Sequence, residues 1–84
     1  MKAKAGSFES GDCIVTVEDA KDLIVEIEST VFAQFGEQID RTIKQVLTEY
    51  KINNIKLICQ DKGALDYTII ARTKVALKRG GYIE

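Results

Sequence analysis

Two serines flanked by glycine stand near the start of the chain, and their hydroxyls are the reactive groups that this stretch offers. Ser7 follows Gly6 and Ser10 precedes Gly11 within residues 5–12. Glycine has no Cβ and adopts backbone angles closed to other residues, so a neighbouring hydroxyl can project into solvent. The chain has no histidine, which excludes an ordinary serine–histidine nucleophile. Such a serine is better suited to modification by another protein's active site than to catalysis of its own.

The two cysteines form no recognisable metal or redox motif. Cys13 and Cys59 lie far apart in the chain, without a CxxC pair or a histidine partner. Both fall on apolar positions of predicted strands, which predicts buried, reduced thiols. We therefore expect no metal site and no catalytic residue in this chain.

Composition indicates a single domain of ordinary type. The 84 residues are 45% apolar and 30% charged, with a formal net charge of −1. This balance argues against a nucleic-acid-binding protein, which usually has a strongly basic face. No apolar run approaches the roughly 18 residues needed to cross a bilayer, and the start lacks a signal-peptide core. We expect a cytoplasmic protein that does not bind membranes.

Alternating apolar residues predict two strands after the glycine-flanked serines. The first covers residues 13–18 and the second residues 23–28. Two glutamates on the outer face of the second strand suit an edge position, since charge there discourages pairing with other chains. Residues 1–11 show no periodicity and are predicted to form a flexible arm, ahead of a single α+β domain at 12–84.

A long apolar stripe at helical spacing predicts a helix over residues 32–50. Ser29 or Thr30 can cap its start. Gly36 lies within the helix at a cost of about 1 kcal/mol relative to alanine. Either close packing or a partner approaching the backbone would explain this glycine. The residues that we expect to be buried in the fold are Phe35, Ile39, Val46, Leu57 and Ile69.

A third strand over residues 55–60 and a second helix complete the chain. Asp61 is the candidate N-cap of that helix, with Gly63 as the alternative. The ββαβα order predicts an α+β two-layer sandwich, in which both helices cover one face of a small, mostly antiparallel three-stranded sheet. The first two strands are expected to form a hairpin, and the third to pair antiparallel with the first, giving the order 2-1-3.

Three short strings resemble the acyl carrier proteins of bacterial citrate lyase, the gamma subunits of that enzyme. They are Ala5-Gly6-Ser7-Phe8-Glu9-Ser10-Gly11-Asp12, Gln34-Phe35-Gly36-Glu37-Gln38-Ile39 and Asp61-Lys62-Gly63-Ala64-Leu65-Asp66. Each is weak alone, but three in order at the family's spacing are specific, and the resemblance covers roughly residues 5–79. In that family the second serine of the first string carries the prosthetic group. The resemblance therefore places the attachment at Ser10, with Gly11 giving access.

The resemblance implies a non-catalytic carrier subunit. Ser10 would bear 2′-(5″-phosphoribosyl)-3′-dephospho-CoA through a phosphodiester installed by a holo-synthase, and a ligase would acetylate its thiol. The alpha subunit would exchange the acetyl group for citrate. The beta subunit would then cleave the citryl thioester, releasing oxaloacetate and leaving acetyl on the arm. Tethering would raise the local concentration of the thioester at both active sites.

Two alternatives are open at the level of sequence. A carrier of the malonate decarboxylase system would use the same prosthetic group with a different acyl cargo, although the setting of Ser10 and the 61–66 string favour citrate. The chain could also be a small interaction domain whose N-terminal arm is unmodified. Glu9 and Asp12 could be recognised by the holo-synthase or could only keep the arm solvated.

Overall fold

Four strands and two helices make up the chain, and the computed structural model describes all 84 residues. Numbered in chain order, the elements are β1 Ala3–Gly6, β2 Cys13–Asp19, β3 Ile24–Ser29, α1 Phe32–Glu49, β4 Ile55–Asp61 and α2 Asp66–Arg79. Neither helix is long and apolar enough to cross a membrane. The predicted α+β class is confirmed.

The sheet is mixed, with the strand order β1-β2-β4-β3. β2 pairs antiparallel with both β1 and β4, whereas β3 pairs parallel with β4. Parallel neighbours need a crossover connection, and α1 provides it between β3 and β4. Residues of β4 alternate between buried and half-buried, as suits a strand with a neighbour on each side.

The predicted hairpin between the strands at 13–18 and 23–28 is wrong, and so is the order 2-1-3. These two strands are β2 and β3, and β4 lies between them. The antiparallel pairing of the first and third predicted strands is confirmed, as is the edge position of the strand with outer glutamates. Alternation along a strand shows which face is buried. It does not show which strand lies beside it, because pairing depends on distant segments.

Residues 1–11 do not form a flexible arm throughout, because β1 adds a fourth strand to the predicted three. This strand pairs with β2 along its whole length, and Ala5 within it is only 3% exposed. Alanine is depleted in strands, and four residues are too few to show alternation. The segment at 7–12 is therefore a hairpin loop between two paired strands.

Both helices pack on the same face of the sheet. α2 lies against β1 and β2, α1 lies against β3, and the helices contact each other. Ile39, Val46, Leu57 and Ile69 are buried as predicted. The prediction for Phe35 is wrong, since this side chain is 43% exposed and borders an open cleft.

Gly36 is buried in α1 beneath an aromatic ring. A Cβ at this position would lie 2.7 Å from the ring of Phe32, one turn earlier. A larger side chain would therefore displace that ring. This contact supports close packing, rather than a partner approaching the backbone, as the reason for the glycine.

Cys13 and Cys59 are free thiols that lie fully buried in the core. This confirms the prediction made from their positions on the strands. The side-chain hydrogen bond with Cys13, together with burial, raises the pKa of the Cys59 thiol. The thiolate is the reactive form of cysteine, so Cys59 is unreactive at neutral pH.

Candidate functional site

Ser10 lies in the turn of the β1–β2 hairpin loop and is exposed. The side-chain hydrogen bonds of this loop involve Ser7 and Asp12 and leave the Ser10 hydroxyl without a partner. Gly11 has a φ of +82°, and nothing lies within 4 Å of where its Cβ would be. An L-residue with a side chain rarely adopts this angle, so glycine is required here. The structure thus presents one free hydroxyl beside open space.

Asp12 anchors the base of this loop. Its carboxylate accepts hydrogen bonds from the Ser7 hydroxyl at 2.7 Å and from the backbone N–H of Cys13 at 2.7 Å. The guanidinium of Arg72 on α2 donates two more, at 3.0 and 2.8 Å. Hydrogen bonds from Arg72, then Ser7, hold the pKa of Asp12 well below its usual range. The carboxylate is therefore charged at neutral pH and ties the loop to the second helix.

Lys62 holds the other side of the loop through its backbone. The N–H of Gly11 donates to the carbonyl of Lys62 at 2.7 Å, and the N–H of Lys62 donates to the carbonyl of Asp12 at 2.9 Å. The Lys62 ammonium lies 5.7 Å from the centroid of the Phe8 ring, a cation–π distance. The loop is fixed on both sides, and Ser10 projects between these anchors.

Asp61 organises the neighbouring β4–α2 loop. Its carboxylate is 3% exposed and accepts hydrogen bonds from the Ser29 hydroxyl at 2.8 Å and from the backbone N–H groups of Gly63 and Ala64 at 3.0 and 2.9 Å. A buried carboxylate needs such donors to offset its loss of hydration. The Asp61 side chain therefore holds both the end of β3 and the turn before α2 in place.

The structure corrects the predicted helix caps, which were Ser29 or Thr30 for α1 and Asp61 or Gly63 for α2. The N-cap positions are Val31 and Leu65, and neither helix start has a side-chain cap. The hydroxyl of Ser29 accepts from the N–H of Val31 at 3.1 Å while it donates to Asp61. The polar side chains expected at the caps instead stabilise the turns that lead into the helices.

An apolar cleft of about 460 Å³ opens between the starts of α1 and α2. We call it the helix-start cleft. Its exposed apolar side chains are Phe35, Leu65 and Tyr67, which are 43%, 60% and 71% exposed. At its polar side, the amide nitrogen of Gln38 donates to both carboxylate oxygens of Asp66, at 3.1 and 3.0 Å.

The three strings that carry the family resemblance meet at this end of the molecule. The 5–12 string is hydrogen-bonded through its backbone to the 61–66 string. The 34–39 and 61–66 strings both line the helix-start cleft. The sequence analysis did not identify Arg72 as a residue that anchors the Ser10 loop. The salt bridge joins Asp12 and Arg72, and no local sequence pattern indicates a contact between residues so far apart in the chain.

Comparison with known proteins identifies relatives whose similarity extends over almost the whole chain. Residues 1–80 match the acyl carrier protein family model described as malonate decarboxylase delta subunit. A citrate lyase acyl carrier protein of Treponema denticola is 42% identical over 93% of this chain and 90% of its own length. Proteins of the same name are 43% identical in Fusobacterium nucleatum and 46% identical in Haemophilus influenzae, covering 89% and 92% of this chain and 82% and 81% of theirs.

The fold is also found in a solved structure of low sequence identity. A crystal structure of a Thermus thermophilus protein superposes with a TM-score of 0.55 at 16% identity, covering 94% of this chain and 15% of that chain. At this identity the likeness concerns the fold alone. The curated relatives carry the assignment: the chain belongs to the citrate lyase acyl carrier protein family.

Proposed function

We propose that this chain is the acyl carrier subunit of a citrate lyase and that Ser10 is the attachment point of its prosthetic group. The names of the Treponema, Fusobacterium and Haemophilus relatives support the carrier role. The observation that supports the site is the exposed hydroxyl of Ser10, without a hydrogen-bond partner, on a loop anchored at both sides.

The surroundings of Ser10 fit a bulky phosphodiester. Gly11 leaves the space beside the hydroxyl open, and the ammonium group of Lys62 places positive charge next to the loop, where it would attract phosphates. Ser7 fits less well, because its hydroxyl is half-buried and donates to Asp12 at 2.7 Å. Modification of Ser7 would break that hydrogen bond.

When bound, 2′-(5″-phosphoribosyl)-3′-dephospho-CoA supplies a thiol that holds acyl groups as thioesters. This chain presents the Oγ of Ser10 as phosphoryl acceptor and holds the attachment point on a fixed turn. We assign the base that activates Ser10 to the holo-synthase; the absence of histidine and the engagement of Asp12 by Arg72 and Ser7 support this assignment. As a carrier rather than a catalyst, the chain raises the local concentration of thioester at its partners' active sites.

The proposed partners are the alpha subunit for acyl transfer, the beta subunit for citryl cleavage, the holo-synthase and the ligase that acetylates the thiol. The second candidate function is a carrier for malonate decarboxylase, which the description of the matching family model favours. Affinity purification of the tagged chain from its own cells separates the two. Recovery of lyase subunits supports the first, and recovery of decarboxylase subunits would replace it with the second.

The site is tested by intact mass and peptide mapping after incubation with the holo-synthase and its substrate. The wild type is expected to gain the mass of the prosthetic group on the peptide with Ser10. Ser10→Ala should fold normally but gain no mass and support no lyase turnover, whereas Ser7→Ala should still be modified. A phosphodiester mapped to Ser7, or attachment to the Ser10→Ala variant, would show that the assignment is wrong.

A further inference from the structure

The helix-start cleft has the size and lining of a small-molecule site. Its volume of about 460 Å³ falls within the roughly 300–1,000 Å³ typical of ligand pockets. The apolar side chains of Phe35, Leu65 and Tyr67 stay substantially exposed around it, although the apolar stripe of α1 predicted burial of Phe35. Exposed apolar surface grouped around a concave site is typical of a binding site.

The cleft lies directly beside the loop that carries Ser10. The N–H of Gly11, the residue after Ser10, donates to the carbonyl of Lys62 at 2.7 Å. The next residue after Lys62 is Gly63, which lines the cleft. The loop that carries Ser10 and the cleft are therefore neighbours, so an arm attached at Ser10 can reach the apolar lining by folding back over Lys62 and Gly63.

The polar groups of the cleft favour an amide-containing chain over an anionic one. Gln38 donates through its amide nitrogen to both oxygens of Asp66, which leaves its carbonyl oxygen as an acceptor for an N–H group. Asp66 and Asp61 are also among the residues that line the cleft, and their negative charge would repel an anion. The complementary ligand has alkyl groups and amide N–H donors in the cleft and phosphates outside it, near Lys62.

We propose that the helix-start cleft holds the pantetheine portion of the arm attached at Ser10. Pantetheine combines alkyl groups with two secondary amides, and in dephospho-CoA its inner end is joined to phosphates. Docking in the cleft shields the arm from solvent while the carrier is between partner active sites. This proposal rests on the proposed attachment at Ser10.

The first experiment compares backbone amide chemical shifts of the apo and holo proteins, after intact mass has verified full modification of the holo sample. Docking is expected to shift amides at residue 35, residue 38 and residues 63–67, in addition to the loop at 9–12. Shifts confined to the loop would overturn the proposal while leaving attachment at Ser10 intact. Failure to gain mass would overturn the proposed function as well, so the two failures are distinguishable.

The second experiment measures the rate at which iodoacetamide alkylates the arm's thiol in holo protein. A Phe35→Gln, Leu65→Gln double variant, checked for folding by circular dichroism, is expected to react roughly fivefold faster, the factor that about 1 kcal/mol of lost apolar contact gives. Ile24→Gln is the matched control and should react at the wild-type rate, because Ile24 is 41% exposed and lies at the far end of β3 from Ser29.

An unchanged rate in the double variant would overturn the proposal. Cleft amides that shift only when the alpha or beta subunit is added would also overturn it, and would make the cleft a protein-docking surface instead. Cleft shifts in the isolated holo protein, together with faster alkylation of the double variant alone, would establish docking of the arm.

Discussion

Ser7 and Ser10 are the same residue type three positions apart, yet their hydroxyls have different surroundings. Ser7 donates to Asp12 at 2.7 Å and accepts from the N–H of Glu9 at 3.3 Å, whereas Ser10 is exposed and unbonded. The sequence distinguished them only through the family resemblance. The structure adds a physical reason, because one hydroxyl supports the loop and the other is free to react.

This difference predicts that the alanine variants of Ser7 and Ser10 differ in stability. Ser7→Ala should lower the free energy of unfolding by about 1 kcal/mol, since it removes a part-buried hydrogen bond to a charged acceptor. Ser10→Ala should change it by less than about 0.5 kcal/mol, as is usual for an exposed side chain. Urea denaturation of the apo proteins measures both. Equal losses in the two variants would contradict the assignment of Ser7 to a structural role.

The hydrogen bonds of Asp12 are expected to stabilise the folded protein to a degree that depends on pH. Because Arg72 and Ser7 lower its folded pKa, its interactions stabilise the protein fully above the unfolded value near 3.9 and are lost as pH falls through the folded value. Asp12→Asn should therefore melt about 4–8 °C below wild type at pH 7, and the difference should shrink below about pH 4. The Arg72 side chain is 39% exposed, so solvent screening keeps this effect moderate.

Thermal melting followed by circular dichroism between pH 7 and pH 2 tests this prediction. Asp40→Asn is the matched control, because Asp40 forms an exposed ion pair with Lys44 within α1, and such pairs contribute little. A difference between Asp12→Asn and wild type that persists unchanged at low pH would contradict the role assigned to the carboxylate.

At the scale of elements, the apolar stripe of α1 correctly identified its buried face from Ile39 onward. Leu47 on this face is 1% exposed. Leu47→Ala should lower the free energy of unfolding by roughly 2–5 kcal/mol through lost apolar contact and the resulting cavity. Leu23→Ala is the control, since Leu23 is 39% exposed and should cost much less. Urea unfolding measures both, and a loss below about 1 kcal/mol for Leu47→Ala would place it outside the core.

The same stripe wrongly predicted burial of Phe35 at the start of α1. Periodicity shows that Phe35 shares a face with Ile39, but exposure depends on what lies opposite. The segment opposite is the approach to α2, where Asp61 holds the loop and leaves Leu65 60% exposed. The predicted strand order was wrong for a similar reason. The outer glutamates correctly indicated that β3 is an edge strand, but no local pattern shows that β4 lies between β3 and β2.

At the scale of the whole molecule, the candidate site is assembled from segments far apart in the chain. The loop at 7–12, the start of α1 and the β4–α2 loop meet at one end of the sheet. The family resemblance predicted Ser10 and Gly11 as site residues. It did not predict the anchor from Arg72 or the cleft beside the loop, because both arise from tertiary contacts. The region that presents Ser10 is therefore a product of the complete fold.

Substitution of Asp61 tests whether the position of the Ser10 loop depends on the rest of the fold. Asp61 is suited to this test because it connects the end of β3, the end of β4 and the loop before α2. Asp61→Asn replaces one acceptor oxygen by a donor, which leaves at least one of three buried donor contacts without an acceptor. We expect it to lower the free energy of unfolding by about 2–3 kcal/mol. Ser29→Ala removes one of these three hydrogen bonds, together with the one that Ser29 accepts from the N–H of Val31. It leaves both acceptor oxygens of Asp61 in place and should cost less, about 1–2 kcal/mol.

Urea denaturation of both variants gives the comparison, and amide chemical shifts of Gly11 report the effect on the neighbouring loop. Because the Gly11 N–H donates to Lys62, the residue after Asp61, we expect its amide to shift in Asp61→Asn more than in Ser29→Ala. If Asp61→Asn were no more destabilising than Ser29→Ala and left the Gly11 amide unmoved, the loop that carries Ser10 would be positioned independently of the β4–α2 turn.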